Sequence, residues 1–450
     1  MISGKMTSRV RVCAGLIAAG LSSAAGASGF ALIEQNASGM GNAYAGQAAS
    51  AQDASTVYFN PAGLTRLPGR QAVVSGHAIV PKAEFANASS TVAPLQVNLG
   101  GNGGDAGGLA WVPNLYLSWQ LNEKWFAGLG LNAPFGLTTE YDANWVGRFH
   151  AIESSLKTMN VNPSIAYQLS DSVSLGAGLN FQKADAKLTN AVNYSAAAFG
   201  AGGAPLLAAI GGAGQEGVGV IKGDDSTWGY NLGALFNLGD DTRIGVSYRS
   251  SVEHQLKGTV AFTNRPALLA AGIPDGAVTA TLKLPASASW SLFHRYSDKW
   301  DVLADVSWTQ WSSIQALNVY RTTGVLLTTT PLNWRNTYRL SLGANHRYNQ
   351  AWTLRMGVAY DQSPVPDFDR TPRVPDNDRT WLSLGAQYNL SKDDAIDFGY
   401  SYIFVKSNTV NLCTAANAAV YPTTCSGKNT LSGSFTGNIN IVSVQYRRRF

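Results

Sequence analysis

Charge is scarce in this chain. Of its 450 residues only 14% are Asp, Glu, Lys or Arg, against about 25% in ordinary soluble domains. Long apolar runs are also missing: beyond the N-terminus none reaches the 18 or more residues of a membrane helix, so helical spans are excluded. No Pro- or Ser-rich linker divides the sequence, which argues against a string of soluble domains. Histidine is rare, and the five (His77, His150, His254, His294 and His346) are scattered, with no local Ser/His/Asp grouping. Cysteine is rarer still, at three. The "GMGNAYAG" at 39–46 follows no strand and lacks the Gly-Lys-Ser/Thr of a phosphate loop. Metal, cofactor and nucleotide chemistry therefore have no motif to stand on.

Alternation is what the sequence has. In "YQLSDSVSLGAGLNF", Val173, Leu175, Ala177, Leu179 and Phe181 share one parity, and Ser174, Gly176, Gly178 and Asn180 the other. That is strand periodicity with one apolar and one small or polar face. The signature returns near 70–85, 109–121, 123–137, 155–169, 225–238, 241–257, 279–296, 299–314, 335–348, 351–362, 379–390, 394–406 and 438–450. With 172–190 this makes about fourteen strands. Each is long enough to cross a bilayer at a tilt, which takes roughly 9–11 residues. Connections alternate between short ones, near 122, 171, 240, 297, 349 and 392, and long ones such as 191–224 and 407–437. Short turns at one end and long loops at the other, with aromatics at strand ends, predict an all-β transmembrane barrel of antiparallel strands over 70–450. A soluble β-sandwich also alternates, but it rarely sustains so many long strands.

The N-terminus sets the compartment. Lys5, Arg9 and Arg11 precede the apolar "VCAGLIAAGL" and the small-residue site Ala25-Gly26-Ala27. This reads as a secretory signal peptide over 1–27. Its removal leaves 30 basic against 28 acidic residues, a formal charge of +2, which gives no reason to expect a nucleic-acid partner. Cys13 goes with it. Cys413 and Cys425 remain in one polar loop, without nearby histidines, and predict a disulfide rather than a metal site. Residues 28–69 do not alternate. They are alanine-rich and polar, with helix-compatible pieces near 37–51 and 61–66, and too short to fold alone. A small helical hatch packed in the barrel lumen is expected.

The stretches "SGMGNAYAG", "DASTVYFNPAGL", "WVPN" (Trp111–Asn114) and "PFGLTTEY" (Pro134–Tyr141), in this order and spacing, resemble the FadL family. Its members are outer-membrane transporters of long-chain fatty acids and related hydrophobic compounds. The resemblance covers essentially the whole mature chain. It implies a fourteen-strand barrel plugged by an N-terminal hatch, in the outer membrane of a Gram-negative bacterium. It also implies capture of ligand between extracellular loops, transfer to a lumen pocket and sideways release at a kinked third strand. The terminal Phe450 resembles the assembly signal of outer-membrane proteins, from which Arg448 departs where an apolar residue is usual.

The residues that would carry this follow. Proline lacks an N–H and glycine weakens pairing, so Pro134-Phe135-Gly136 should break the third strand. The resemblance pairs it with Asn60-Pro61-Ala62 of the hatch as a gate. The loops "AAAFGAGGAPLLAAIGG" and "FTNRPALLAAGI" are apolar for exposed segments, and exposed apolar patches often mark binding. They offer Phe199, Leu206, Leu207, Ile210, Leu268 and Leu269 as a capture groove, or as loops covering the barrel mouth. Charged residues of inward parity, Arg243, Arg249, Asp301, Asp305, Arg339, Arg347, Arg355 and Asp397, could clamp a ligand carboxylate, but ion pairs that anchor the hatch are the expectation. Fatty-acid-binding members carry a basic residue at the outer end of the fifth strand, where this chain has Asn190, which leaves neutral hydrocarbons open as ligands. A monomer amid outer-membrane lipid and lipopolysaccharide, with a hydrophobic small-molecule ligand, is the expectation. A diffusion porin, an adhesin or an outer-membrane lipid-active enzyme would share the wall pattern.

Overall fold

Alternation places large apolar side chains outside. In a computed structural model describing residues 28–450, Leu342 is 60% and Leu384 63% exposed, while Ser341 and Ser383 beside them are buried. This inverts the arrangement of a water-soluble protein. In water such a surface costs about 25 cal/mol per Å²; facing lipid tails it costs nothing. The expected signal peptide, with Cys13, lies outside the described residues.

The wall runs through β1 (Arg70–Asn87), β2 (Ala110–Gln120), β3 (Trp125–Asn132), β4 (Gly136–Glu140), β5 (Glu153–Gln168), β6 (Val173–Asn193) and β7 (Glu216–Asn237). It continues through β8 (Thr242–Arg249), β9 (Val252–Phe262), β10 (Gly276–Leu284), β11 (Ser287–Arg295), β12 (Trp300–Thr309) and β13 (Ala316–Arg321). β14 (Leu326–Pro331), β15 (Thr337–Arg347), β16 (Trp352–Asp361), β17 (Arg379–Asn389), β18 (Asp394–Leu412) and β19 (Leu431–Arg449) complete it. All pairings are antiparallel, and β1 pairs with both β2 and β19, so the sheet closes. Among the described residues five strands are interrupted: β3/β4, β8/β9, β10/β11, β12/β13 and β14/β15. Joining them gives fourteen barrel strands. Closure pairs every strand on both sides, as a lipid-facing sheet requires, except where single strands are interrupted.

The strands run past the expected ends on the long-loop side. β6 and β7 stay paired to Asn193↔Glu216. Their outward residues there, Lys183, Asp185 and Lys187, are charged, and Lys183 pairs with Asp185 at 3.0 Å. Above the bilayer a strand no longer needs an apolar face, so its pattern fades while its ladder continues. The segment 191–224 accordingly holds α4 (Tyr194–Ala209) and the start of β7 rather than one long loop.

Residues 28–67 lie inside the barrel, almost all buried. They form α1 (Ala37–Met40), α2 (Gln47–Ser50), α3 (Thr56–Phe59) and a 3-10 turn at Pro61–Arg66. The wall makes room with glycine. A Cβ at Gly245 would come within 1.9 Å of the Ala48 carbonyl oxygen, and one at Gly357 within 2.1 Å of the Asn42 carbonyl carbon. Inward arginines hold the segment by its backbone. Arg243 donates to the Ala49 and Ser50 carbonyls (both 3.1 Å), Arg249 to Tyr58 O (3.0 Å) and Arg339 to Ala43 O (2.8 Å). Arg355 pairs with Asp397 and reaches Gln52.

Cys413 and Cys425 are joined, with Cα atoms 5.3 Å apart, in the loop carrying α5 (Ala415–Val420). A loop of 12 residues contributes at most roughly 3 kcal/mol in the chain-entropy description, and it lies outside the wall. Cys413→Ser/Cys425→Ser protein should therefore assemble at the wild-type level, read by heat-modifiable gel mobility. Loss of the folded band would show that the bridge is needed for assembly.

Candidate functional site: a broken strand, an aromatic cluster and an apolar chamber

The third barrel strand leaves the wall at Ala133-Pro134-Phe135. β3 pairs with β2 up to Leu131↔Leu115, and β4 pairs only with β5, so Ala110–Asn114 of β2 lack a neighbour on that side. Thr158 on β5 receives the displaced chain: the Phe135 N–H donates to its Oγ1 at 2.9 Å, and that hydroxyl donates to Phe135 O at 2.6 Å.

What meets the kink from inside is the start of the N-terminal segment. Ala31 and Phe135 form an antiparallel bridge. The Leu32 N–H donates to Pro134 O (2.8 Å) and the Gly136 N–H to Phe30 O (2.9 Å). Gln35 Nε2 adds a bond to Ala133 O at 3.0 Å. Asn60-Pro61-Ala62, the expected partner, docks elsewhere. Asn60 caps the Pro61–Arg66 turn and donates to Ala48 O and Ala234 O at 2.7 and 3.0 Å. Asn60 and Ala62 sit on Gly233 and Gly176, where a Cβ would collide with them. Pro61 shares only the lining of a 150 Å³ cavity with Pro134 and Phe135.

Phe30 links the kink to the space above it. Its ring lies 4.9 Å from Trp311, 5.3 Å from Trp334 and 6.1 Å from Phe135, centroid to centroid. Trp311 and Trp334 are themselves 5.1 Å apart. This cluster separates the small cavity, which Phe135 and Trp311 line, from a chamber of about 550 Å³ that Phe30 and Trp334 line. Leu137, Leu156, Leu256, Val278, Val319 and Leu332 give the chamber apolar walls. Its size and apolar character are those of a small-molecule site.

Arg373, from the loop between β16 and β17, also lines the chamber. Its Nη1 donates to Ser154 Oγ (2.9 Å) and Glu153 O (3.3 Å), and its Nη2 to Asn190 Oδ1 (3.4 Å). Among the described residues it has no carboxylate partner. Burial pushes its pKa down to about 10, which leaves it charged at neutral pH. Behind it Lys428, pushed down to about 8 by burial and by Arg373, lines a small adjoining cavity that Arg373 also borders. His150 in the same cavity is pushed down to about 3 by burial and is neutral. The carboxylates there are engaged: Asp369 accepts from Tyr421 and Asn333, and Glu153 pairs with Lys187.

None of the six loop residues lines the chamber. Leu206, Ile210 and Leu269 cluster with Tyr194 and Ala198, covering one another. Leu207 is half-buried, and Phe199 and Leu268 project into solvent at 52% and 61% exposure. Sequence reasoning missed Phe30, Trp311, Trp334 and Arg373. Two of them had a signal. Trp311 in "QWSS" and Trp334 in "NWRN" are large aromatics where alternation lapses.

Sequence profiles and known structures agree with this architecture. The family described as outer membrane protein transport protein (OMPP1/FadL/TodX) matches residues 18–450. The long-chain fatty acid transport protein of Escherichia coli O6:H1 is 31% identical over 429 residues, covering 92% of this chain and 95% of that protein. Outer membrane protein P1 of Haemophilus influenzae is 31% identical over 409 residues, 86% and 88% of the two chains. The crystal structure of a Pseudomonas aeruginosa FadL homologue superposes with a TM-score of 0.85 at 27% identity, over 94% of this chain and 100% of that one. Fourteen strands closed into a barrel, an apolar outer face and relatives throughout this group lead to one assignment: the chain belongs to the FadL/TodX family of outer-membrane transport proteins of Gram-negative bacteria.

Proposed function

We propose that this protein carries long-chain fatty acids across the outer membrane, with the 550 Å³ chamber as the binding station. The observation that carries the reading is the union of apolar walls with one guanidinium, Arg373, that lacks a carboxylate partner among the described residues. Each CH₂ moved from water into the chamber contributes about 0.8 kcal/mol, and a carboxylate head meets a charged donor. Arg373 also answers the missing cation of the fifth strand, because it reaches Asn190 from another loop. Exposed Phe199 and Leu268, with Leu206, Leu207, Ile210 and Leu269 behind them, form the outer capture surface in this reading. Release follows sideways through the gap beside β2 once Phe30–Leu32 leave the kink. The rest of the N-terminal segment, Asn60-Pro61-Ala62 included, stays docked and plugs the lumen.

Arg373→Leu should weaken binding of a fluorescent palmitate by roughly 10- to 100-fold, since a hydrogen bond to a charged group is worth about 1.5–3 kcal/mol, and should leave toluene uptake unchanged. Titration of the purified protein and uptake by a deletion strain check both. A palmitate affinity that does not change would favour the second reading, transport of neutral aromatic hydrocarbons, which the uncharged Asn190 supports.

Lys428 adds a pH dependence with a defined sign. Its charge is present below about 8 and lost above it. Palmitate affinity should fall as pH rises from 7 to 9, and Lys428→Gln should flatten that fall. A pH-independent affinity in the parent protein would remove Lys428 from the site.

A further inference from the structure

The chamber has a second breach in its wall, away from the third strand. The ladder between β10 and β13 stops after Ala280↔Val319 and resumes between β11 and β12 only at Ser287↔Thr309. Between these points one barrel strand supplies residues 281–286 and its neighbour the longer stretch 310–318, which contains the 3-10 turn Trp311–Ser313. Two hydrogen bonds among the described residues cross the interval, from Gln310 N–H to Ala286 O at 2.9 Å and from Ser313 Oγ to Lys283 O at 3.1 Å. Pro285 has no N–H to offer. Each edge is held from its far side: Thr281–Leu284 pair with β9, and Ala316 and Leu317 with β14. The result is a slot with fixed lips.

The chamber runs into this slot. Leu282 and Leu317 line it with inward parity, and so do Thr281, Lys283, Ala316 and Asn318, whose parity is outward. Outward residues such as Lys222 and Thr279 line the chamber too, but there the ladder is intact. Only at 281–286 and 310–318, among the described residues, does the chamber's border coincide with an interval that two adjacent strands leave unpaired. The level of the slot is also defined. Exposed Trp290 and Tyr248 lie below it, as an aromatic rim does at the bilayer interface, whereas Glu253, Gln255, Lys257 and Lys283 give the outer face at its own level a polar, charged character. Unpaired backbone groups would cost several kcal/mol each in hydrocarbon; here they reach water. Lys283 stands exposed on the outer lip, directly across the β9 ladder from Glu253.

We infer that the slot between residues 281–286 and 310–318 is a side entrance to the chamber, admitting the acyl chain of a single-chain anionic amphiphile held at the outer membrane surface. The tail slides between Leu282 and Leu317 while the head stays near Lys283, so the ligand need never leave the membrane surface for water. This rests on the chamber being the ligand site. It goes beyond that reading in assigning a route from the membrane side, distinct from the extracellular loops and from the third-strand kink.

The test separates route from site. In Leu282→Cys/Leu317→Cys protein, both side chains pack against the same cluster, so a short bifunctional thiol reagent should bridge the slot. Fluorescent palmitate is then delivered from donor vesicles to the purified protein in bilayers. Bridging should slow chamber loading about tenfold or more, as barriers to entry do, with the affinity after long incubation unchanged. Thr281→Trp, which obstructs the outer mouth without touching the Cys413–Cys425 bridge, should slow loading similarly. A loading rate unaffected by a demonstrated bridge overturns the entrance, provided Leu156→Trp, which fills the chamber, still abolishes binding. If Leu156→Trp leaves binding intact, the chamber reading fails, and the entrance with it.

Discussion

Deleting residues 29–67 should turn a barrel that passes almost no ions into one that conducts steadily. The wall does not depend on the segment for its own ladder. β1 through β19 pair with one another around the full circle, and among the described residues the segment enters the sheet only at the Ala31–Phe135 bridge. What the segment does fill is the interior. Gly245 lies against Ala48, Gly357 against Asn42 and Gly176 against Ala62, on wall strands far apart in the sequence, so one continuous stretch of chain crosses the whole section. Without it those glycines and serines would line a water-filled bore, together with Arg243, Arg249, Arg339 and Arg355. Three of them, Arg243, Arg249 and Arg339, would lose their carbonyl partners and hydrate readily there, because the cost of an unpaired charge falls with access to water, while Arg355 keeps Asp397. Their charge should also make the bore prefer anions. Single-channel recordings in planar bilayers would show a stable conductance at least about tenfold above the parent's background, of the kind expected of open barrels. A deletion protein that shows the folded, heat-modifiable band and stays closed would end the plug reading.

The number of strands was legible because bilayer and lumen impose opposite requirements on alternate residues. Wherever both apply, as in Leu340-Ser341-Leu342, the sequence declares the strand. Above the membrane the requirement lapses, so the upper parts of β6, β7, β18 and β19 carried little signal although their ladders run on. The interior segment was visible by its failure to alternate, while its docking was not. The kink is met by main-chain bonds from Phe30, Leu32 and Gly136, and main-chain bonding leaves no mark on residue type. Asn60-Pro61-Ala62 drew attention by its composition, which serves a local cap and a close approach to Gly233. Of the inward charges, Arg243, Arg249, Arg339 and Arg355 reach the segment, by hydrogen bonds rather than ion pairs, since a buried guanidinium needs acceptors and the segment supplies them. Arg347, Asp301, Asp305 and Asp397 find their partners within the wall and its turns. Arg373 was invisible for a different reason: a loop has no parity from which to infer where it points.

The kink supplies the second large effect. Ala31 and Phe135 form the non-hydrogen-bonded pair of their bridge, because the flanking bonds run from Leu32 to Pro134 and from Gly136 to Phe30. Such pairs hold Cα atoms about 4.5 Å apart, within the range a disulfide spans. Ala31→Cys/Phe135→Cys should therefore oxidise readily. Ala62, which packs on Gly176, is not the residue to tether. The bond would fix Phe30 against Trp311 and Trp334 and keep the N-terminal strand on the broken edge. If ligand leaves the chamber by displacing that strand, oxidised protein should bind palmitate with nearly unchanged affinity and transport it at least about tenfold more slowly, the barrier of a step now closed. Reductant should restore transport, and the native Cys413–Cys425 bridge serves as an internal control because its loss alone should leave uptake intact. Uptake that continues at the reduced rate, with the new disulfide demonstrated by mass, would mean that release does not pass the third strand. A loss of binding together with uptake would place Phe30 inside the ligand's own volume, and lateral release would then need a different probe residue, such as Ala133 against Gln35, which faces it across a 3.0 Å hydrogen bond.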